Sequence, residues 1–250
     1  MPATPAWPPA SFPRLYVPEE LKAGATLTLR DAPANYLANV LRLRSGHHVK
    51  LFDDITGEWL ATLGEVAKKS VTLAIGERLR ERESVPDLWL LFAPIKRGRI
   101  DWLVEKATEL GVDHLMPVIT ARTVVDRLNL DRLRAHVIEA AEQCDRTALP
   151  RLQKAARLKA ILAAWPEERT LYFADEEGGV PLAQAARPGP AAILIGPEGG
   201  FTDEERTIIR AHPAACAITL GPRILRADTA ALAAISQWLA VAGDLNEGEE

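Results

Sequence analysis

Short apolar runs separated by turn-forming residues occupy the first eighty residues. Hydrophobic positions alternate or cluster in these runs as they do in β-strands, and residues 53–57 fit a hairpin loop between two of them. Residues 34–42 could form one short helix. The pattern predicts a small, mostly antiparallel barrel. The predicted strands cover residues 14–17, 26–29, 48–52, 58–63 and 71–75.

The pattern changes after a charged, apolar-poor stretch at residues 77–86. Such a stretch suits a linker or an exposed edge, so we place a domain boundary there. Residues 1–80 form the barrel, and residues 81–250 form a second domain.

Strands alternate with helices throughout the second domain. Residues 88–93 form a continuous apolar run, which is typical of a strand buried on both faces, and a helix with apolar residues at helical spacing follows and ends at Gly111. The alternation predicts an α/β domain with a mainly parallel sheet. The later strands are predicted at residues 112–119, 170–174, 191–195 and 215–220, and the later helices at residues 129–146, 203–211 and 229–241.

Composition excludes several classes of protein. An apolar content of 48% and a charged content of 26% describe an ordinary globular chain, which excludes global disorder. Cys144 and Cys216 are far apart and form no CxxC pair, so neither a disulfide framework nor a structural zinc site is expected. The start of the chain does not read as a secretory signal, and residues 230–242 are too short to span a bilayer. We therefore expect a cytoplasmic protein with no membrane association.

The net charge of −4 is unusual for a protein that binds nucleic acid. Residues 1–80 nevertheless hold 10 Lys and Arg against 8 Asp and Glu, whereas the remainder holds 20 against 26. Charge alone therefore neither requires an RNA partner nor excludes one.

Common catalytic motifs are absent from the sequence. It has no phosphate-binding P-loop, dinucleotide fingerprint, nucleophile elbow or zinc-binding HExxH helix. Only His47 and His48 are close together among the histidines, and neighbouring strand residues point to opposite faces. We therefore expect no metal.

Two loops carry the chemical signal. Residues 195–201 and 220–230 each leave an apolar strand through Gly-Pro and enter a helix, and Thr202 with Glu205 fits a capping box at the first of these helices. A single Gly-Pro turn is a common connection after a strand and by itself indicates no function. Two of them at the carboxyl ends of buried parallel strands, where ligands bind on such sheets, indicate a binding site.

The same loops resemble a known family. The segments LIGPEGGFTDEE (194–205) and LGPRILRADTAALAAI (220–235) are similar to the 16S rRNA uridine-N3-methyltransferases of the RsmE type, a branch of the SPOUT superfamily. The likeness continues, in the family's order, through KRGRIDWLVEKATELGV (96–112), EAAEQCDR (139–146) and RLYV (14–17), and so covers most of the chain.

The resemblance implies a C-terminal SPOUT domain tied into a trefoil knot and a small N-terminal PUA-like β-barrel that helps to hold RNA. It also implies a homodimer, with S-adenosyl-L-methionine as the cofactor. The implied reaction is methylation of N3 of a uridine in 16S rRNA of the small ribosomal subunit. Two alternatives stay open: a SPOUT methyltransferase that acts on another RNA nucleotide, and a non-catalytic ribosome-assembly protein that does not bind the cofactor.

Residue roles follow from this chemistry. Loss of the uracil N3 proton leaves negative charge on two carbonyl oxygens, which a cation can stabilise. Arg226 is the first candidate for that cation, and Arg223 is the next. Alternatively, Arg226 caps the preceding turn or pairs with Asp228, and Glu198 caps the following helix. The resemblance implies a cofactor-binding set of Leu194, Gly196, Glu198, Gly199, Gly200, Leu220, Gly221, Ile224, Leu225, Thr229 and Ala230.

RNA contacts are expected from basic and polar side chains. Lys96, Arg97 and Arg99 form a basic cluster after a strand, which suits contact with phosphate. Charged helix faces are usually only solvated, and it is the resemblance that makes polar residues of the long helix candidates. The RNA-binding set is Arg14, Lys96, Arg99, Gln143, Arg146 and Arg223.

Three positions depart from the family pattern. Asp228 stands where glutamate is common, Asp145 where glycine is usual, and Ala121 where an acidic residue is frequent. The shorter carboxylate of Asp228 weakens its assignment as the general base, so the base stays unassigned.

Overall fold

The computed structural model describes residues 12–96, 98–124 and 128–246. The chain divides into two compact units, which are described separately below. Unit 1 comprises Met1–Ser84 and Ala141–Ala148, and unit 2 comprises Val85–Ala140 and Leu149–Glu250.

Unit 1 is built on one five-stranded sheet in the order β1-β3-β4-β5-β2. Strand β1 runs parallel to β3 and all the other pairs are antiparallel, as the sequence predicted for most of this sheet. Irregular register between β4 and β5 bends the sheet around its core, because a bulge increases local twist. The strands are β1 (Arg14–Tyr16), β2 (Thr26–Arg30), β3 (His48–Asp53), β4 (Gly57–Val66) and β5 (Ser70–Arg80).

The inward-facing strand residues form the core of unit 1. Val49, Leu51 and Leu73 are fully buried there, together with Leu37 from the connection between β2 and β3. The single helix predicted in this connection is in fact an α-helix, α1 (Asp31–Asn35), followed by a π-helical turn (Tyr36–Val40).

The second segment of unit 1 consists of the last residues of a long helix and the turn after it. The Glu83 carboxylate accepts hydrogen bonds from the N–H groups of Thr147 and Ala148, at 2.7 and 2.9 Å. In return, the Thr147 hydroxyl accepts the N–H of Glu83 at 2.9 Å. These bonds hold residues 141–148 to the end of the barrel segment.

Unit 2 contains a parallel sheet in the order β11-β13-β10-β12-β6-β7-β8, with β9 pairing with β7. Every strand pair in it is parallel, which confirms the predicted α/β class. The strands are β6 (Leu88–Phe92), β7 (His114–Ile119), β8 (Arg151–Leu152), β9 (Ala156–Arg157), β10 (Thr170–Ala174), β11 (Val180–Pro181), β12 (Ala191–Ile195) and β13 (Ala215–Thr219).

Helices connect these strands. The third helix ends before the predicted boundary at residue 146, because Asp145 adopts a left-handed φ of 62°. Helix α7 packs against α2. The helices are α2 (Arg99–Glu109), α3 (Leu130–Gln143), α4 (Leu158–Ala163), α5 (Leu182–Ala185), α6 (Asp203–Arg210) and α7 (Ala227–Ala242). Within the described ranges, no helix combines the length and the apolar character needed to cross a membrane.

Candidate active site

The two Gly-Pro loops lie at the same edge of the parallel sheet of unit 2. Strands β12 and β13 flank β10 and run parallel to it, so the loops that follow them leave the sheet at its carboxyl edge. We call residues 196–202 the first loop and residues 220–226 the second loop. The loops after β6, β7 and β10 leave the sheet at the same edge.

The first loop ends in the predicted capping box. The Thr202 hydroxyl accepts the N–H of Glu205 at 3.2 Å, and the Glu205 carboxylate accepts the N–H of Thr202 at 3.0 Å. These bonds satisfy free donors at the start of α6. Glu198 therefore has no capping role, and the hypothesis that it caps the helix is wrong.

Neighbouring side chains lie close to two glycines of the first loop. A Cβ on Gly196 would lie 3.0 Å from the buried Phe201 ring. Gly200 has a φ of 69°, and a Cβ there would lie 2.6 Å from the Glu176 carboxylate. The loop therefore packs closely against its own end and against the loop after β10.

Arg122, in the loop after β7, fixes the first loop from the other side. Its guanidinium donates to the carbonyl oxygens of Gly199 and Phe201 at 2.6 and 3.3 Å. The N–H of Ala121 donates to the Glu205 carboxylate at 2.7 Å. The sequence analysis did not select Arg122. The convergence of loops at the carboxyl ends of parallel strands was the signal that could have found it.

An ion cluster around the buried side chains of Arg206 and Asp175 ties α6 to the loop after β10. Arg206 donates to Asp175 at 3.1 Å, to Glu176 at 2.7 Å and to Glu177 at 2.9 Å. Burial acts to lower the pKa of Arg206, but these carboxylates outweigh it and raise that pKa above its ordinary value. Arg210 also donates to Asp175, at 2.9 Å. Glu176 of this cluster also lies next to Gly200 of the first loop.

The second loop is open. The Ile224 side chain is 100% exposed, and a Cβ on Gly221, whose φ is 118°, would meet nothing within 4 Å. Among the described residues, the main-chain groups of Ile224 and Leu225 form no hydrogen bond. The loop therefore presents free main-chain donors and acceptors beside an apolar side chain, which suits a ligand with both polar and apolar parts.

Arg226 stands at the end of the second loop as the N-cap residue of α7. Its side chain is exposed, makes no capping bond, and has no ion-pair partner in the part of the chain that the structure describes. Pairing with Asp228 is absent because Arg99 occupies both Asp228 oxygens, at 2.9 and 2.8 Å. Both structural alternatives for Arg226 are therefore wrong, and its guanidinium is available for other contacts.

Arg99 connects the first loop to the start of α7. Besides its two bonds to Asp228, it forms an ion pair with Glu198 in the first loop. The sequence analysis had placed Arg99 among the RNA contacts. In the structure its three guanidinium nitrogens contact carboxylates of the candidate site.

The other predicted RNA contacts fall into two groups. Lys96, Arg223 and Gln143 are exposed, whereas Arg97 lies outside the described residues. The remaining two, Arg14 and Arg146, are buried in unit 1, where 5% and 4% of their side chains are exposed.

Arg14 holds the two segments of unit 1 together. It pairs with Glu58, donates to the carbonyl oxygens of Ala141 and Arg146 at 2.5 and 2.6 Å, and lies over the Phe52 ring. This geometry gives Arg14 a structural role in place of the predicted contact with RNA.

The predicted cofactor residues also differ in accessibility. Leu194 is fully buried in the core of unit 2, together with Phe173 and Phe201, and Ala230 is buried in α7. Their side chains therefore belong to the core. The residues of the two loops and Thr229 remain candidates, and each stays a prediction.

Comparisons with known proteins point to one family. Residues 81–239 match the model of an RNA methyltransferase domain, and residues 29–76 match that of an RNA methyltransferase PUA domain. A curated relative from Synechocystis named ribosomal RNA small subunit methyltransferase E is 33% identical over 90% of this chain and 76% of its own length. A relative of that name from Rickettsia conorii is 30% identical over 90% and 94%.

A solved structure agrees with these matches. The crystal structure of a ribosomal RNA small subunit methyltransferase E from Neisseria gonorrhoeae, bound to S-adenosyl methionine, superposes with a TM-score of 0.85. The two sequences are 32% identical, and the match covers 94% of this chain and 99% of that chain.

Proposed function

The chain belongs to the ribosomal RNA small subunit methyltransferase E family, and we propose that it methylates N3 of a uridine in 16S ribosomal RNA. It is an RNA methyltransferase whose cofactor is S-adenosylmethionine. The observation that most supports the proposed chemistry is the Arg226 guanidinium, which lies beside the open second loop and has no ion-pair partner among the described residues.

The loops fit the expected cofactor. Free main-chain groups at Ile224 and Leu225 and the open approach at Gly221 suit the main-chain hydrogen bonds that an adenine ring needs. We assign the binding of S-adenosylmethionine to the main chain of both loops, at Gly196, Gly199, Gly200, Leu220, Gly221, Ile224 and Leu225. When bound, the cofactor supplies an electrophilic methyl group.

Arg226 then acts on the nucleotide. Removal of the uracil N3 proton spreads negative charge over the two neighbouring carbonyl oxygens, and a cation placed there stabilises that charge as it develops. Because no protein carboxylate neutralises Arg226 in the described structure, its full charge is available. Arg223, exposed on the same loop, is assigned to RNA phosphate.

Asp228 is a poor candidate for the general base. Both of its oxygens accept bonds from Arg99, and one of them also accepts the N–H of Thr229 at 2.9 Å. A carboxylate engaged in this way has little capacity left for a substrate proton. We assign it a structural role, and solvent or a phosphate remains available as the proton acceptor.

Arg226→Ala is the direct test of this assignment. We expect kcat for methyl transfer to fall by roughly 10²- to 10³-fold, as for the loss of one donor to a developing anion. The Kd for S-adenosylmethionine, measured by titration calorimetry, should stay within about twofold, because the cofactor contacts are main-chain. Arg226→Lys should retain part of the activity, since it keeps the charge but not the planar fork.

Arg223→Ala is the matched control on the same loop. It should raise KM for RNA and leave kcat nearly unchanged, because a phosphate contact contributes to binding alone. A wild-type protein that does not bind the cofactor at millimolar concentration would refute the function and favour the assembly-protein alternative. Unchanged kcat in Arg226→Ala would refute the role of Arg226.

We also propose a homodimer, a trefoil knot in unit 2 and a cytoplasmic location, all of which the family resemblance implies. Exposed apolar side chains at Ile224 and Trp102 are compatible with a subunit interface. Sedimentation at micromolar concentration should give the mass of a dimer, and the mass of a monomer would contradict the proposed homodimer.

A further inference from the structure

We propose that Arg99 is a positioning residue that couples the first loop to the start of α7 and sets the orientation of Arg226. The inference rests on the proposed function, because it concerns how the same site is assembled. It also replaces the role in RNA contact that the basic cluster at residues 96–99 suggested.

The Arg99 guanidinium makes three contacts, all with carboxylates. Nε and Nη2 donate to the two oxygens of Asp228 at 2.9 and 2.8 Å, and Nη1 contacts Glu198. Every guanidinium nitrogen of Arg99 therefore contacts a carboxylate. A bidentate pair fixes orientation as well as distance. The side chains of Arg99 and Asp228 are only 26% and 11% exposed, so the pair is also partly shielded from solvent.

The three residues lie on different elements of unit 2. Arg99 is the first residue of α2, Asp228 lies in the first turn of α7, and Glu198 is in the first loop. Because α2 and α7 pack against each other, Arg99 is anchored on a rigid element. One side chain therefore ties both the first loop and the start of α7 to the same support.

Asp228 is also close in sequence to the proposed catalytic residue, Arg226. Arg226 precedes Asp228 by two residues, and its carbonyl oxygen accepts the N–H of Ala230 at 2.7 Å. The Asp228 carboxylate also accepts the N–H of Thr229. Fixing Asp228 therefore fixes the turn from which the Arg226 side chain projects. Loss of Arg99 should disturb both cofactor binding and the transfer step.

Arg99→Gln removes the charge and the fork, whereas Arg99→Lys keeps only the charge. We expect Arg99→Gln to weaken S-adenosylmethionine binding by about tenfold and also to lower kcat, in line with coupling between residues of one ion-pair network. Arg99→Lys should fall between this variant and the wild type, because an ammonium cannot make the bidentate pair. Arg134→Gln, an exposed position on α3, removes an equal charge and should change neither quantity.

A double-mutant cycle with Glu198→Gln separates coupling from direct contact. Glu198 lies in an exposed part of the loop, where its side chain is 47% exposed, so its replacement should leave the fold intact. If Arg99 acts through Glu198, Glu198→Gln weakens cofactor binding in the wild type but has little further effect in Arg99→Gln. An equal effect in both backgrounds would overturn the proposal.

The outcomes also distinguish the coupling from the enzyme activity itself. Suppose that Arg99→Gln binds RNA more weakly but keeps the wild-type Kd for the cofactor and the wild-type kcat. Arg99 would then be a phosphate contact, and the coupling would be refuted. A wild-type protein with no cofactor binding would refute the proposed function instead. If Arg99→Gln is too unstable to purify, the double-mutant cycle with Glu198→Gln is performed with Arg99→Lys instead.

Discussion

Replacement of Gly200 by alanine tests the close packing of the first loop. Gly200 has a φ of 69°, a left-handed conformation that alanine adopts at a cost of about 1–2 kcal/mol. The new methyl group would also lie 2.6 Å from the Glu176 carboxylate, so that side chain must move away. Two separate effects therefore destabilise the variant.

The magnitude follows from these two effects and one that opposes them. Glu176 would give up its 2.7 Å ion pair with Arg206, but its side chain is 56% exposed, which limits this loss to about 0–1 kcal/mol. Alanine also lowers the conformational entropy of the unfolded chain, which raises the free energy of unfolding by about 0.4–1 kcal/mol. We expect Gly200→Ala to lower the free energy of unfolding by about 1–2 kcal/mol, with backbone strain as the larger part.

Urea unfolding measures the backbone strain and the loss of the ion pair separately. It is carried out on the wild type, Gly200→Ala, Glu176→Ala and the double variant. Glu176→Ala alone should cost at most about 1 kcal/mol, since it removes only the exposed ion pair. The double variant should lose less stability than the sum of the two single-variant losses, because the methyl group of Gly200→Ala already displaces the Glu176 carboxylate. Gly200→Ala with wild-type stability, or strictly additive losses, would refute the argued packing.

Three further substitutions test other parts of the structure. At Asp145, where φ is 62°, glycine should be more stable than alanine by about 1 kcal/mol in thermal unfolding, because both variants lose the carboxylate and only alanine is strained. Equal stability would contradict the left-handed assignment. Thr202→Ala should lower stability by about 1 kcal/mol through loss of the capping box at α6, and an unchanged melting temperature would contradict that role. Burial acts to raise the pKa of Glu58, but the hydrogen bond and charge of Arg14, together with the charges of Arg80 and Lys50, outweigh burial and hold that pKa below the usual 4.5. Because the folded-state pKa is depressed, the ionised Glu58 stabilises the fold. This contribution is complete above about pH 4.5 and is lost as the pH falls through the folded-state pKa. Glu58→Gln should therefore be less stable at neutral pH by about 3 kcal/mol and lose less on acidification, and an unchanged pH profile would count against the burial of this charge.

The sequence predicted the class of each sheet because local pattern reports burial. Strand β12 is buried on both faces and accordingly reads as one apolar run, and the capping pair of Thr202 and Glu205 lies within a single turn. The two loops could be chosen because strand ends and Gly-Pro turns are local features. Each of these signals depends on residues a few positions apart.

The residues that the sequence analysis misplaced depend on distant partners. Arg14 is buried because of Glu58, 44 positions away, and Arg99 contacts Asp228, 129 positions away. Helical periodicity shows which face of α3 is apolar but not which unit its last turn joins, so the place of residues 141–148 in unit 1 could not be read from it. Arg122 contacts the first loop through main-chain carbonyl oxygens, which every residue has, so only its place after β7 at the carboxyl edge of the sheet could have indicated it.

Methyl transfer to ribosomal RNA tests the central claim most directly. Small ribosomal subunits that lack the modification are incubated with the protein and S-adenosylmethionine labelled in the methyl group, and the RNA is digested to nucleosides and identified by mass spectrometry. The account predicts one labelled product, 3-methyluridine from 16S rRNA, and its loss with Arg226→Ala. Label in another nucleoside, or no label although the cofactor binds, would contradict it.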